Sequence, residues 1–269
     1  MKFEKASRKS HYYDEDRIVI GDNYFMVMDG ATPLLKTGIK PSEASWFVSF
    51  IKSHLAKNQE NILEKLDKIS LLAYQKFLQL SQNSNPQYFP SAGLAWIEIN
   101  GDIVDAYTIG DCEIAIKYKN DNVKRIIDYR LPKLDAYALE CLKAKAKENN
   151  KSIKESLEDI KDILLNNRML MNKEQGYPVF TISNEPNFQY NHLKIELSKI
   201  KEIYIYSDGI TQAFDELKIY SSCEDLFSHE VNITELIRQI VNVANSDPEL
   251  NRYPRFKKND DISIIKITF

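Results

Sequence analysis

A chain of 269 residues can bury one large core, and nothing in that length forces a division into two domains. Its 36 basic and 39 acidic residues leave a formal net charge of -3, which excludes the electrostatic footprint of a nucleic-acid binder. No apolar run approaches the ~20 residues a bilayer needs, the start MKFEKASRKS has charge but no apolar stretch, and three separated cysteines and four scattered histidines make neither a disulfide framework nor a zinc spacing, so a soluble, cytoplasmic protein without membrane contact is predicted.

Residues 17–28 read as two strands joined at Gly21-Asp22-Asn23, after an irregular N-terminal segment. A helix is predicted from near Pro41-Ser42, where the serine can cap, because Ala44, Phe47, Val48, Ile51 and Leu55 recur at helical spacing. A second helix carries Ile62, Leu66, Ile69, Ala73, Phe77 and Leu80 on one face. Each has a single apolar stripe, which predicts that both lie on a sheet. Ser91-Ala92-Gly93 reads as a turn into a strand. Leu94–Ile99 and Ile103–Ile109 make a hairpin about Asn100-Gly101, and Glu113–Tyr118 and Val123–Ile127 continue it as a meander. From about Pro132 to Met171 the chain changes to two charged helical stretches, an insertion between strands. Strands return at Val179–Ile182, Leu193–Leu197 and Ile203–Tyr206, helix follows near Gly209–Leu217 and Ile233–Ala244, and Ile262–Phe269 closes the chain. No repeat or proline-rich linker interrupts this order, so residues 1–269 are read as one domain with an inserted subdomain.

Acidic residues stand at the ends of four of the apolar runs. Phe25–Met28 stops at Asp29-Gly30, Ala106–Ile109 at Gly110-Asp111 and Ile203–Tyr206 at Ser207-Asp208-Gly209, while Asp260-Asp261 precedes Ile262. A strand end is a fixed point, so carboxylates placed there can converge. With Glu15-Asp16 before the first run, the chain offers hard oxygen ligands for more than one divalent cation. Asp-Gly is also the chemistry of tight turns, and Gly21-Asp22 and Gly101-Asp102 fit hairpin turns. Five of the eight glycines nevertheless adjoin an aspartate, and the other three of these pairs border β-forming runs, where metal binding is the better reading. The expectation is a metal-dependent hydrolase.

The ordered set Asp14-Glu15-Asp16, Val27-Met28-Asp29-Gly30, Ser91-Ala92-Gly93-Leu94-Ala95, Ile109-Gly110-Asp111, Tyr206-Ser207-Asp208-Gly209-Ile210 and Asp260-Asp261-Ile262-Ser263-Ile264 resembles the metal-dependent protein phosphatases of type 2C. Each motif is short, but together they span nearly the whole chain. The resemblance implies an α+β fold, a four-layer α/β/β/α sandwich of two antiparallel sheets flanked by helix pairs, with a helical flap inserted at about 129–175. It implies hydrolysis of phosphoserine and phosphothreonine in proteins by a metal-activated water, with two tight Mn²⁺ or Mg²⁺ ions and a weaker third. Asp29, Asp208 and Asp260 would be central to catalysis. Asp29 would bridge both tight ions, Glu15 and the Gly30 carbonyl would hold one, and Asp208 with Asp260 the other. Asp111 would help Asp208 hold the third ion, with Asp16 and Asp261 behind the ligands.

Departures from that pattern concern the substrate. His11 stands where many members place a phosphate-binding arginine, and imidazole lacks the planar fork of a guanidinium. Arg168 lies in a segment similar to one in a bacterial subgroup, so His11, Arg168 or both are expected to bind the phosphate. Ala31 replaces the histidine that some members use as general acid, and Asp261 stands where asparagine is frequent. Cys112 is not read as a nucleophile, because Glu113-Ile114-Ala115 is no phosphate-cradling loop. A non-catalytic regulator that binds a phosphorylated partner and a phosphatase of a small metabolite are the alternatives. Five aligned carboxylates favour hydrolysis over binding alone; the choice between protein and small phosphoester stays open.

Overall fold

The computed structural model describes residues 1–10, 12–31, 33, 35–55 and 61–269. It is an α+β fold with two antiparallel sheets and, among the described residues, seven α-helices. The strands are β1 (Lys2–Arg8), β2 (Asp16–Ile20), β3 (Tyr24–Ala31), β4 (Ser91–Asn100), β5 (Ile103–Ile109), β6 (Glu113–Tyr118), β7 (Val123–Ile126), β8 (Phe180–Thr181), β9 (Asn191–Glu196), β10 (Ile200–Tyr206) and β11 (Ile262–Thr268). The helices are α1 (Glu43–Leu55), α2 (Ile62–Ser81), α3 (Arg130–Asn149), α4 (Lys161–Arg168), α5 (Asp208–Thr211), α6 (Cys223–Ser228) and α7 (Ile233–Asn245). One sheet has the order β1-β11-β10-β6-β7 and the other β2-β3-β4-β5-β9, with β8 paired to β4. No helix among the described residues is long and apolar enough to cross a membrane.

Strand periodicity assigns the side chains to layers. Phe25 and Val27 of β3 and Ile203 and Ile205 of β10 belong to one buried cluster shared by the two sheets. Their neighbours Met26 and Met28 pack with Phe47, Val48 and Ile51 of α1 and Leu66 and Ile69 of α2. On the other sheet, Tyr204 and Tyr206 pack with Leu226 and Phe227 of α6 and with Leu236, Ile237 and Ile240 of α7. The Ser42 hydroxyl accepts from the Ser45 amide at 3.0 Å, as expected of a cap to α1.

Several details differ from the expectations above. The N-terminal segment is not wholly irregular, since β1 pairs along its length with β11. Its polar sequence suits an edge strand and hides the pattern. The central hairpin turns at Gly101-Asp102, one residue later than expected, because Asn100 still pairs with Ile103 and Gly101 takes a positive φ of 61°. Ser91–Gly93 is strand, paired with β3. Most consequentially, β6 does not continue the meander. Gly110, at φ 75°, turns the chain across the sandwich, and β6 pairs with β10 in the other sheet. Asp111 therefore sits at a crossing between the sheets. In α2 the buried face ends at Phe77, and Leu80 is 48% exposed.

The loop between α7 and β11 is fixed by a buried cation. Arg255 is 1% exposed, pairs with Asp247 at 3.1 Å, and donates to the carbonyls of Tyr253 (2.7 Å), Ala244 (2.9 Å) and Lys258 (3.3 Å). Replacing it leaves the buried Asp247 carboxylate without its counter-cation and takes a donor from four carbonyls, that of Asp247 included. Arg255→Met is expected to lower stability by about 3–5 kcal/mol, measured as a reduced urea midpoint with unchanged m-value; wild-type stability would show that the loop does not depend on this residue.

Candidate functional site

Each carboxylate at the site is placed by a specific backbone approach. In the sheet, Asp29 lies between Asp16 of β2 and Gly93 of β4. Because it shares the strand parity of Phe25 and Val27, Asp29 belongs to the face between the sheets, at its end. A Cβ at Gly93 would stand 2.2 Å from Asp111 Oδ1, so glycine leaves the room that the Asp111 carboxylate occupies. A Cβ at Gly209 would stand 2.1 Å from the Asp261 carbonyl, so glycine lets the start of α5 lie against Asp260-Asp261. The Gly30 amide donates to the Glu15 carbonyl at 2.9 Å, which sets Glu15 beside the end of β3.

Two residues join these pieces. The Ser207 hydroxyl donates to Asp16 Oδ2 at 2.7 Å and accepts from the Ser263 amide at 2.9 Å, linking one sheet to the other. Asp261, 4% exposed, accepts from the Ser10 amide (2.6 Å), the Ser10 hydroxyl (2.9 Å) and the Glu15 amide (2.7 Å). It anchors the segment that carries Glu15.

The result is a cavity of about 380 Å³. Asp111, Asp208 and Asp260 line it together with Arg168, Tyr177 and Lys257. The carboxylates raise one another's pKa. Burial and then the charges of Asp208, Asp16, Asp111 and Asp260 push Asp29 well above the ordinary carboxylate range. Burial, Asp208 and Asp261 do the same to Asp16 against the Ser207 hydrogen bond. Asp260 is pushed up to about 6, by burial and then by Asp208. At the cavity wall, burial followed by Asp111 and Asp208 raises Asp135 to about 7, and burial followed by Asp208 and Asp260 raises Glu216 to about 8.

The structure thus brings Asp29, Asp111, Asp208 and Asp260 within one another's fields, with Asp16 behind them. Arg168 lines the same cavity, its Nη2 3.4 Å from the Ser91 hydroxyl. Glu15 is adjacent, but its carboxylate accepts from the Ser42 hydroxyl at 2.6 Å. His11 lies outside the described residues. No three His, Cys, Asp or Glu side chains among the described residues form a metal cage as they stand. Glu15 is engaged by Ser42, and both oxygens of Asp260 by Lys257 at 2.8 and 3.1 Å. The donor set still fits a hard cation: Asp16 Oδ1 and Asp208 Oδ1 are buried without a hydrogen-bond partner, a costly state for a carboxylate unless a cation or proton joins it.

A family model for Protein phosphatase 2C matches residues 15–247, which include Glu15, Asp29, Asp111 and Asp208. The chain belongs to the protein phosphatase 2C family. Solved structures resemble this phosphatase 2C chain over their full length at low identity. A bacterial serine phosphatase is 11% identical, with a TM-score of 0.56, covering 100% of this chain and 97% of that one. The serine/threonine phosphatase Stp1 of Staphylococcus aureus is 11% identical, with a TM-score of 0.56 and coverage of 100% and 94%. PppA, a regulatory component of the T6SS in Pseudomonas aeruginosa, is 13% identical, with a TM-score of 0.56 and coverage of 100% and 99%. No curated protein sequence matches the chain. At such identities the structures speak for the phosphatase 2C fold alone.

Sequence reasoning missed Lys257, Asp135, Glu216 and Ser207. Lys257 and Ser207 lie within three residues of candidate aspartates, a signal that was available. Asp135 had none, because only the docking of α3 carries it to the cavity. Glu216 was hidden by a wide π-type turn after α5, where the Leu217 amide reaches the Gln212 carbonyl at 2.8 Å.

A pH dependence follows. A carboxyl whose folded pKa exceeds its unfolded value near 4 costs no stability below pH 4, and the cost grows as pH rises to the folded value. With Asp260 at about 6, Asp135 at about 7 and Glu216 at about 8, chelator-treated protein is expected to lose stability between pH 5 and 8. The loss is several kcal/mol, since each pH unit over which one of these groups stays protonated in the folded chain contributes about 1.4 kcal/mol. Mn²⁺ is expected to raise the Tm more at pH 8 than at pH 5, because cations then replace absent protons. Differential scanning fluorimetry checks both; a metal-free Tm that climbs over this range would contradict the electrostatic account.

Proposed function

We propose that this chain hydrolyses phosphate monoesters, with phosphoserine and phosphothreonine in proteins as substrates. The observation that carries the reading is the convergence of Asp29 with Asp111, Asp208 and Asp260, the last three of which line a cavity that also holds Arg168, with buried oxygens of Asp16 and Asp208 left without partners. In this reading residues 1–269 are one domain of four layers, and residues 129–175 act as a flap over the site.

The phosphatase 2C family is generally metal-dependent, and bound Mn²⁺ or Mg²⁺, two tight ions and a weaker third, would supply a water of lowered pKa and neutralise phosphoryl charge. Asp29 would serve both tight ions, Asp208 and Asp260 one of them, and Glu15 with the Gly30 carbonyl the other. Asp111 would support the weaker ion with Asp208. Asp16, held by Ser207, keeps the Asp29 end of β3 and the Asp208 end of β10 in register. Asp261 orders the Glu15 segment through two backbone amides. Arg168 reaches the cavity from the end of α4, where its guanidinium can grip two phosphoryl oxygens.

The test is Mn²⁺-dependent turnover on phosphopeptides and on a panel of small phosphate esters. Asp29→Asn is expected to lower turnover by about a hundredfold or more, while chelator-resistant activity in the wild type would overturn the reading. Asp111→Ala is expected to slow turnover while calorimetry still finds the tight ions; loss of tight binding would put Asp111 among their ligands.

A further inference from the structure

Lys257 has no place in the roles given so far, yet its ammonium touches one of the proposed metal ligands. Its Nζ lies 2.8 and 3.1 Å from the two oxygens of Asp260. Among the described residues that line the cavity, Lys257 and Arg168 are the two cations.

The position is built rather than incidental. Lys257 precedes Lys258, whose carbonyl accepts from the buried Arg255, so its backbone is fixed while its side chain is 57% exposed and its ammonium is held by Asp260. A lysine suits such a task, being a compact point charge on a flexible four-carbon stem, and unlike guanidinium it needs no planar partner. It also stands three residues before Asp260, so one loop carries both a ligand and a mobile cation.

We infer that Lys257 is a tethered cation that shares Asp260 with the incoming divalent ion and, once released from it, binds the phosphoryl group of the substrate. This inference rests on the metal-dependent reading above. In the metal-free protein the ammonium neutralises Asp260. A divalent ion on the same carboxylate removes the attraction that held the ammonium there, and the nearest anion is then a phosphoryl oxygen in the cavity. The residue thereby supplies a cation at a site whose usual arginine position is occupied by His11.

The two roles make opposite demands, and that separates them from a structural one. Isothermal calorimetry on the full chain would titrate Mn²⁺ into metal-free protein and inorganic phosphate into Mn²⁺-saturated protein. Lys257→Met is expected to bind Mn²⁺ about tenfold more tightly and phosphate about tenfold more weakly. Lys257→Arg, which keeps the charge, is expected to restore most of the phosphate affinity. Weakening of both ligands would mark a merely structural residue, and unchanged constants would remove Lys257 from the site. Either result overturns the inference while Mn²⁺-dependent turnover by the wild type leaves the broader reading standing. Failure of the wild type to bind Mn²⁺ overturns both.

Discussion

Like charges gathered in a protein interior repel, and the geometry of this molecule turns on how that repulsion is contained. Asp29 feels four other carboxylates, and burial makes the interaction stronger than it would be in water. The containment is covalent and hydrogen-bonded. Each aspartate sits at or beside the end of a strand that is paired along its length, so none can retreat without breaking a ladder. Ser207 adds a hydrogen bond to Asp16 from the opposite sheet. The remaining repulsion favours protons and cations, and Lys257 stands against Asp260 at 2.8 Å.

Glycine is the second constraint. Gly93 and Gly209 occupy places where a single extra carbon would collide with Asp111 and with the Asp261 carbonyl. Their lack of a side chain sets how closely strands and carboxylates can approach. Gly110 does something different, since its positive φ redirects the chain from one sheet to the other and leaves Asp111 at the crossing. The same Asp-Gly chemistry that makes an ordinary hairpin at Gly101-Asp102 thus makes a crossing at Gly110-Asp111.

Belonging to the phosphatase 2C family gives this arrangement its context, and the low identity of the structural relatives shows how far sequence can vary on this fold. In the resemblance read from the sequence, the departures fall on the substrate side, with His11 and Ala31 where other members have an arginine and a histidine. Compensation from Arg168 and Lys257 would come from loops and inserted helices, which tolerate change better than the strand ends that hold the carboxylates.

The sequence by itself determined the elements with strong periodicity and the acidic residues at their ends. α1, α2 and α7 and the strands from β3 to β6 were legible because burial on one face writes a period of 3.6 or 2 into the chain. Asp29, Asp111, Asp208 and Asp260 were legible because an acidic residue that ends an apolar run is conspicuous. β1 was not, since an edge strand with exposed side chains carries no apolar alternation. The membership of β6 in the second sheet was not either, because a crossing and a meander share the same turn residues and differ only in which strand supplies the partner. Asp135 and Glu216 reach the cavity through the docking of α3 and a wide helical turn, which leave no local pattern, and Lys257, although three residues before Asp260, is aimed by a loop held by Arg255. Tertiary structure decided them, because proximity between charges far apart in the chain is a property of the packed layers and not of any segment.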